Sequence, residues 1–210
     1  MLLTLVTTIL NTVLMSKFLS TLTQLITLMR TGLINVLISA PAYTLLFYIN
    51  SWITSELVFG LGVNWIYLPA GLRLFLTLIF GLPGALGIAL ASTLISYYGE
   101  LSTDLTICVG TGLISGFAPY LARIFVFNNV KLEADLSNMN LQKLLLCIVI
   151  YALMSAGLHQ YWYATVGLAN TGSVNHFAVM AIGDVLGSIL LIALIKSGLD
   201  LIKRFRRIDH

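Results

Sequence analysis

The sequence predicts an all-α protein: a polytopic transmembrane helix bundle with six core spans, preceded by an amphipathic or spanning N-terminal helix. Three observations carry this expectation. Hydrophobic residues make up 59% of the 210-residue chain, against about 45–50% in soluble domains. Charged residues make up only 9%, where about a quarter is usual. Apolar stretches of roughly 20 residues, the length a spanning helix needs, recur between short polar loops. With 11 Lys and Arg and 8 Asp and Glu, too few charges are present to coat a soluble domain of this size. The composition argues against a soluble domain, a disordered chain and a nucleic-acid binder.

The elements follow in order. Residues 1–30 form an N-terminal segment with helical periodicity. Thr4, Thr8, Asn11, Thr12, Ser16, Ser20, Thr23 and Thr27 recur every three or four residues, and Leu3, Val6, Leu10, Val13 and Leu14 lie on another face. Such a helix lies in the interface, or spans with its hydroxyl stripe toward other helices. Met15 is an alternative start. Residues 31–200 are the transmembrane domain, with spans near 31–50, 64–81, 84–99, 104–127, 141–164 and 176–198. Gly81-Leu82-Pro83-Gly84 is a tight turn by composition. Asn140 and Asn175 suit N-caps of the fifth and sixth spans. Residues 201–210 are a basic tail whose simplest role is an anchor touching anionic lipid.

Loop charges orient the bundle. Arg30, Arg123, Lys131, Lys143, Lys196, Lys203, Arg204, Arg206 and Arg207 gather at one face, while the loops at 51–63, 99–103 and 165–175 contain no Lys or Arg. By the positive-inside rule the C-terminus is cytoplasmic in a bacterial inner membrane. Trp52, Trp65, Trp162, Tyr67, Tyr97, Tyr98, Tyr161 and Tyr163 then fall near the outer boundary, as an aromatic belt or as the wall of an outward-facing pocket. Gly112 and Gly116, and Gly183 and Gly187, have the GxxxG spacing of close helix contacts. Cys108 and Cys147 fall near opposite faces and read as small buried hydrophobes.

Two ionisable residues stand inside spans. Arg73 and Asp184 each lie roughly 12–14 Å below the outer boundary, counting about 1.5 Å per residue. A lone charge at such depth costs about 2.5–3.5 kcal/mol on insertion scales, so matched depths predict that the two neutralise each other. His159 and Gln160, with His176 at the start of the sixth span, crowd the same outer half. Together with Trp65, Tyr67 and Trp162 they suggest a small-ligand pocket. Ser115 or Cys108 with His159 as base is a candidate nucleophile–base combination, and neither has signature flanks. No enzyme, cofactor or metal is expected. His176 and Asp184 are about 12 Å apart along one helix, too far for one ion.

Two stretches carry a resemblance. Trp65-Ile66-Tyr67-Leu68-Pro69-Ala70-Gly71, with the apolar run to Phe80-Gly81 and then Gly84-Ala85-Leu86-Gly87, resembles the Pro-Ala-Gly helix of bacterial MASE-type membrane-associated sensor domains. Gly183-Asp184-Val185-Leu186-Gly187 resembles that family's late Asp-x-x-Gly helix. The resemblance covers about residues 60–200. It implies an integral membrane input module in which Pro69, Ala70, Gly71, Asp184 and Gly187 are family positions, working through a separate output partner. By size the chain also looks like the substrate-binding subunit of energy-coupling-factor vitamin importers, which implies a transport partner instead. A structural membrane subunit is the third expectation. The bilayer itself is the remaining partner, and no nucleic acid is expected.

Overall fold

A computed structural model describes residues 2–99, 101–130, 132–133 and 136–208, without the side chains of residues 2–16, 18, 19 and 206–208. Lys131, the side chains of Arg206 and Arg207, and the hydroxyl stripe from Thr4 to Ser16 lie outside the described residues. The elements are α1 (Leu2–Ile53), a short 3-10 turn (Ser55–Leu57), β1 (Val58–Gly60), β2 (Val63–Asn64), α2 (Leu68–Phe80), α3 (Leu82–Tyr98), α4 (Leu105–Asn129), α5 (Leu141–Thr165) and α6 (Val174–Ile208).

Among the described residues four helices are long and apolar enough to cross a membrane: Ser20–Ile53, Leu105–Asn129, Leu141–Thr165 and Val174–Phe205. With 13 and 17 residues, α2 and α3 reach only about 20 and 26 Å, short of the roughly 30 Å hydrocarbon layer. Length alone therefore supports four crossings, not the expected six. The expected second span also loses its start. Residues 58–64 instead form an antiparallel hairpin pairing Val58 with Asn64 and Gly60 with Val63, with a bulge between. Helix α2 begins only at Leu68, where Pro69 fills an early position whose missing N–H costs nothing.

No break separates the N-terminal segment from the first expected span, since α1 is continuous. Burial divides it instead: residues 20–31 are exposed, and packing takes hold around Ser39 and Tyr43. Gly81, at φ +62°, makes the sharp reversal between α2 and α3, which glycine tolerates without a Cβ penalty. Arg123 of α4 donates from Nε to the Leu78 carbonyl at 3.4 Å, placing a cation at the α2 C-terminus. Asn140 caps α5 as expected, accepting from the Lys143 N–H at 2.8 Å. Asn175 does not cap α6. Ser173 precedes the helix and its Oγ accepts from the His176 N–H at 3.2 Å.

The glycine pairs are contact points. A Cβ at Gly112 would meet Thr93 and the Ala89 carbonyl, and one at Gly116 the Ala85 carbonyl, so α3 and α4 pack backbone to backbone. A Cβ at Gly183 or Gly187 would fall on the Asn64 or Tyr67 carbonyl, and one at Gly71 would come within 2.8 Å of Ser188 Cα. Both cysteines are buried and free.

Gly187→Leu forces α6 off the chain entering α2, an overpacking that typically costs about 1–3 kcal/mol. Gly198, on the same helix, has nothing within 4 Å of its Cβ position. The expected outcome in a detergent thermal melt is a lowered midpoint for Gly187→Leu and an unchanged one for Gly198→Leu.

Candidate functional site

The hairpin sits at the end of the bundle whose loops lack Lys and Arg, over a cavity of about 620 Å³. Five helices and the hairpin contribute its walls directly, and α6 adds Met180. Exposed Tyr48 and Val58 stand at its mouth. Deeper in are Arg73 and hydroxyl-bearing side chains from α3, α4 and α5. A second hollow of about 440 Å³, at the opposite end, is almost wholly apolar with Lys196 and Lys203 on its wall.

Of the residues singled out from sequence, Arg73, Tyr67, His159, Ser115 and Tyr163 line the cavity, and Gln160, His176, Trp65, Trp162 and Asp184 do not. Gln160 instead ties a loop down: its Oε1 accepts from the Gly172 N–H at 2.9 Å, and its Nε2 lies 3.5 Å from Met180 Sδ. His176 holds the hairpin. Its ring lies 5.2 Å from the Phe59 ring, and its Nδ1 is 2.6 Å from Ser173 Oγ. Trp65 meets Phe59 edge-on and stays partly exposed. Trp162 donates from Nε1 to the Ile107 carbonyl at 3.3 Å. His176 and Trp65 thus pack on the hairpin, Trp162 joins α5 to α4, and none of the three lines the cavity.

Arg73 and Asp184 are both buried and within electrostatic range of one another. Among the described residues, however, no ion pair joins them. The helix register supplies the reason. The Tyr67 N–H donates to the Gly183 carbonyl at 3.1 Å, and Gly71 packs on Ser188. This alignment sets Asp184 level with Tyr67, six residues or about 9 Å outward of Arg73. The equal depths expected from sequence assumed that α2 began at Asn64. Arg73 reaches back along its helix, as helical side chains do, and its guanidinium carbon lies 4.8 Å from the Tyr67 ring and 5.5 Å from the Tyr43 ring. Its Nε and Nη1 have no hydrogen-bond partner, nor has Asp184 Oδ2.

Opposite Arg73 the cavity wall carries a polar chain. His159 Nδ1 is 2.8 Å from the Ser155 carbonyl. A carbonyl only accepts, so Nδ1 bears the hydrogen, and Nε2 of the neutral ring accepts. Ser115 Oγ, 3.2 Å from Nε2, then donates to it and receives from Ser92 Oγ at 2.9 Å. Sequence reading named Ser115 and His159 as a nucleophile–base combination, and the structure brings them together. It does not bring Cys108 to His159, since Cys108 Sγ faces the Ser102 carbonyl at 3.2 Å. Ser115 lies mid-helix in α4, where backbone N–H groups are engaged in helix bonds. The backbone N–H groups around Ser115 are therefore not free to hold an oxyanion.

Sequence reading missed Tyr43, Asn50, Ser92 and Thr111, and placed Tyr163 in an aromatic belt or pocket wall, where it does line the cavity. Tyr43 Oη lies 3.0 Å from Tyr67 Oη, fixing the two rings that flank Arg73. Asn50, fully buried on α1, accepts from the Leu68 N–H at 2.9 Å and donates to Thr54 Oγ1 at 3.1 Å. It caps α2 from another helix, a role with no local sequence signal. Comparison with protein-family models, curated proteins and solved structures finds no match.

Asn50→Ala leaves the part-buried Leu68 N–H without its acceptor, typically costing about 1 kcal/mol. Asn50→Asp keeps the acceptor. A thermal melt is expected to place Asn50→Ala below both wild type and Asn50→Asp.

Proposed function

We propose that this chain is a multi-pass bacterial inner-membrane protein of MASE-like sensory or small-ligand-binding type. Its C-terminus is cytoplasmic, and its ligand enters the cavity from the outer side. The observation that carries this reading is the cavity itself. Its volume lies within the roughly 300–1,000 Å³ usual for small-ligand sites, it is mostly apolar in its walls, and it has a few convergent polar groups around Arg73. In this reading α2 and α3 are the two short members of six passes, and Gly81 turns them at the cytoplasmic face. The segment 54–66 is then the outer cap of the cavity, and the basic rim from Arg30 to Arg204 faces anionic lipid. Because the backbone N–H groups around Ser115 are engaged in helix bonds, binding rather than turnover is the role assigned to the polar chain. A signal leaves through a separate partner. Capture of a histidine kinase or cyclase supports that assignment, whereas capture of an ATPase with a coupling subunit moves the reading to transport.

Orientation is checked by impermeant thiol labelling of intact cells. Cysteines at Ser55 and Thr171 are expected to react and one at Asn138 to stay silent. The reverse pattern places the cavity on the cytoplasmic side.

Ligand binding is checked by thermal shift across a small-molecule panel on the purified chain. A cavity ligand raises the midpoint with the logarithm of its concentration, and Ser92→Trp, which fills the cavity, abolishes the rise. Compounds that stabilise both proteins equally bind elsewhere, and a panel with only such compounds defeats the reading.

A further inference from the structure

The cavity carries one unbalanced charge. Arg73 is 3% exposed, lines the cavity, and has two N–H-bearing atoms, Nε and Nη1, with no acceptor. Burying a guanidinium without a contacting counter-charge is costly. Its neighbours do not supply one. Tyr43 and Tyr67 offer ring faces, which are attractive to a cation but carry no formal charge. Asp184 is the acidic group in electrostatic range, yet it makes no ion pair with Arg73 and does not line the cavity. Among the described residues lining the cavity, Arg73 alone is formally charged.

The rest of the wall fits an anion with an organic body. Tyr67, Ser92, Ser96, Thr111, Ser115 and Tyr163 bring hydroxyl groups to the same space, and Thr111 Oγ1 has no partner. Hydroxyls donate to an anion as readily as they bond to a neutral group. Among the described residues no carboxylate lines the cavity to repel one. Phe47, Ile95 and Met180 form apolar wall beyond them.

We propose that the cavity takes a compact organic monoanion, a carboxylate or sulfonate, whose charged group meets the Arg73 guanidinium while its apolar body lies against Phe47 and Ile95. This rests on the ligand-binding reading above. Arginine suits the role because its planar fork engages a carboxylate or sulfonate through two donors at once. A contacting anion also outcompetes the Asp184 carboxylate, which makes no ion pair with Arg73, because Coulomb attraction falls with distance.

The test uses two thiol reagents of opposite charge on the purified full chain with Cys108→Ala and Cys147→Ala. Sulfonatoethyl methanethiosulfonate is the anionic probe and its trimethylammonioethyl analogue the cationic one. Ser96→Cys places the reacting thiol on the cavity wall, and Ser55→Cys serves as the exposed reference. The anionic-to-cationic rate ratio is expected to be at least about tenfold higher at Ser96→Cys than at Ser55→Cys, the size of effect a close buried charge produces. Arg73→Gln is expected to remove that preference and Arg73→Lys to keep it. The comparison within the Arg73 protein decides the matter even if Arg73→Gln does not fold. Reaction with both probes at the reference ratio leaves an open cavity and overturns the anion assignment alone. Silence toward both probes at Ser96→Cys, with Ser55→Cys reactive, shows a closed space and overturns the ligand-binding reading together with it.

Discussion

Between Gly183 and Gly187, α6 comes so close to the chain entering α2 that a Cβ at either position would fall on a backbone carbonyl. A hydrogen bond from the Tyr67 N–H to the Gly183 carbonyl locks the approach. This contact sets the axial register of two helices that run the same way. Everything at the cavity depends on it. It fixes how far Arg73 sits below Asp184, holds the hairpin against the top of α6, and turns Tyr67 toward Tyr43. A membrane bundle gains little from burying one apolar side chain against another, because lipid tails are equally apolar. Close backbone packing between small residues takes over that role, and the second glycine pair, Gly112 and Gly116 against α3, repeats it on the other side of the cavity.

The polar interior is organised around that packing rather than around an ion pair. Arg73 is held by two tyrosine rings that are themselves hydrogen-bonded together. His159, Ser115 and Ser92 form a chain with a defined direction, because the Ser155 carbonyl can only accept. The cavity between these two arrangements has a cationic side and a neutral hydrogen-bonding side. That asymmetry sets it apart from an apolar cleft of the same size. The hollow at the opposite end is mostly apolar, with Lys196, Asp200 and Lys203 on its wall.

Much of this was legible in the residues themselves. Composition and long apolar runs point to a helical membrane protein because the absence of water forces backbone groups to bond within helices. The turn at Gly81, the cap at Asn140 and both glycine pairs were readable because each is a local pattern with a local physical cause. The importance of Arg73 and His159 was readable because polar groups deep in apolar segments need a reason to be there.

What the sequence by itself determined is the class of structure, the contact glycines and a short set of buried polar residues. Only the tertiary structure decided which of those residues share a space. Residues 58–64 pair as a hairpin where the sequence suggested the start of a span, and that shift moved Arg73 relative to Asp184. Asn50 caps α2 from a helix eighteen residues earlier in the chain, and Ser92 reaches Ser115 from a neighbouring helix. Such contacts leave no periodic trace, because they depend on the register between helices. That register is set by backbone approach at a few glycines and not by the hydrophobic pattern of either helix.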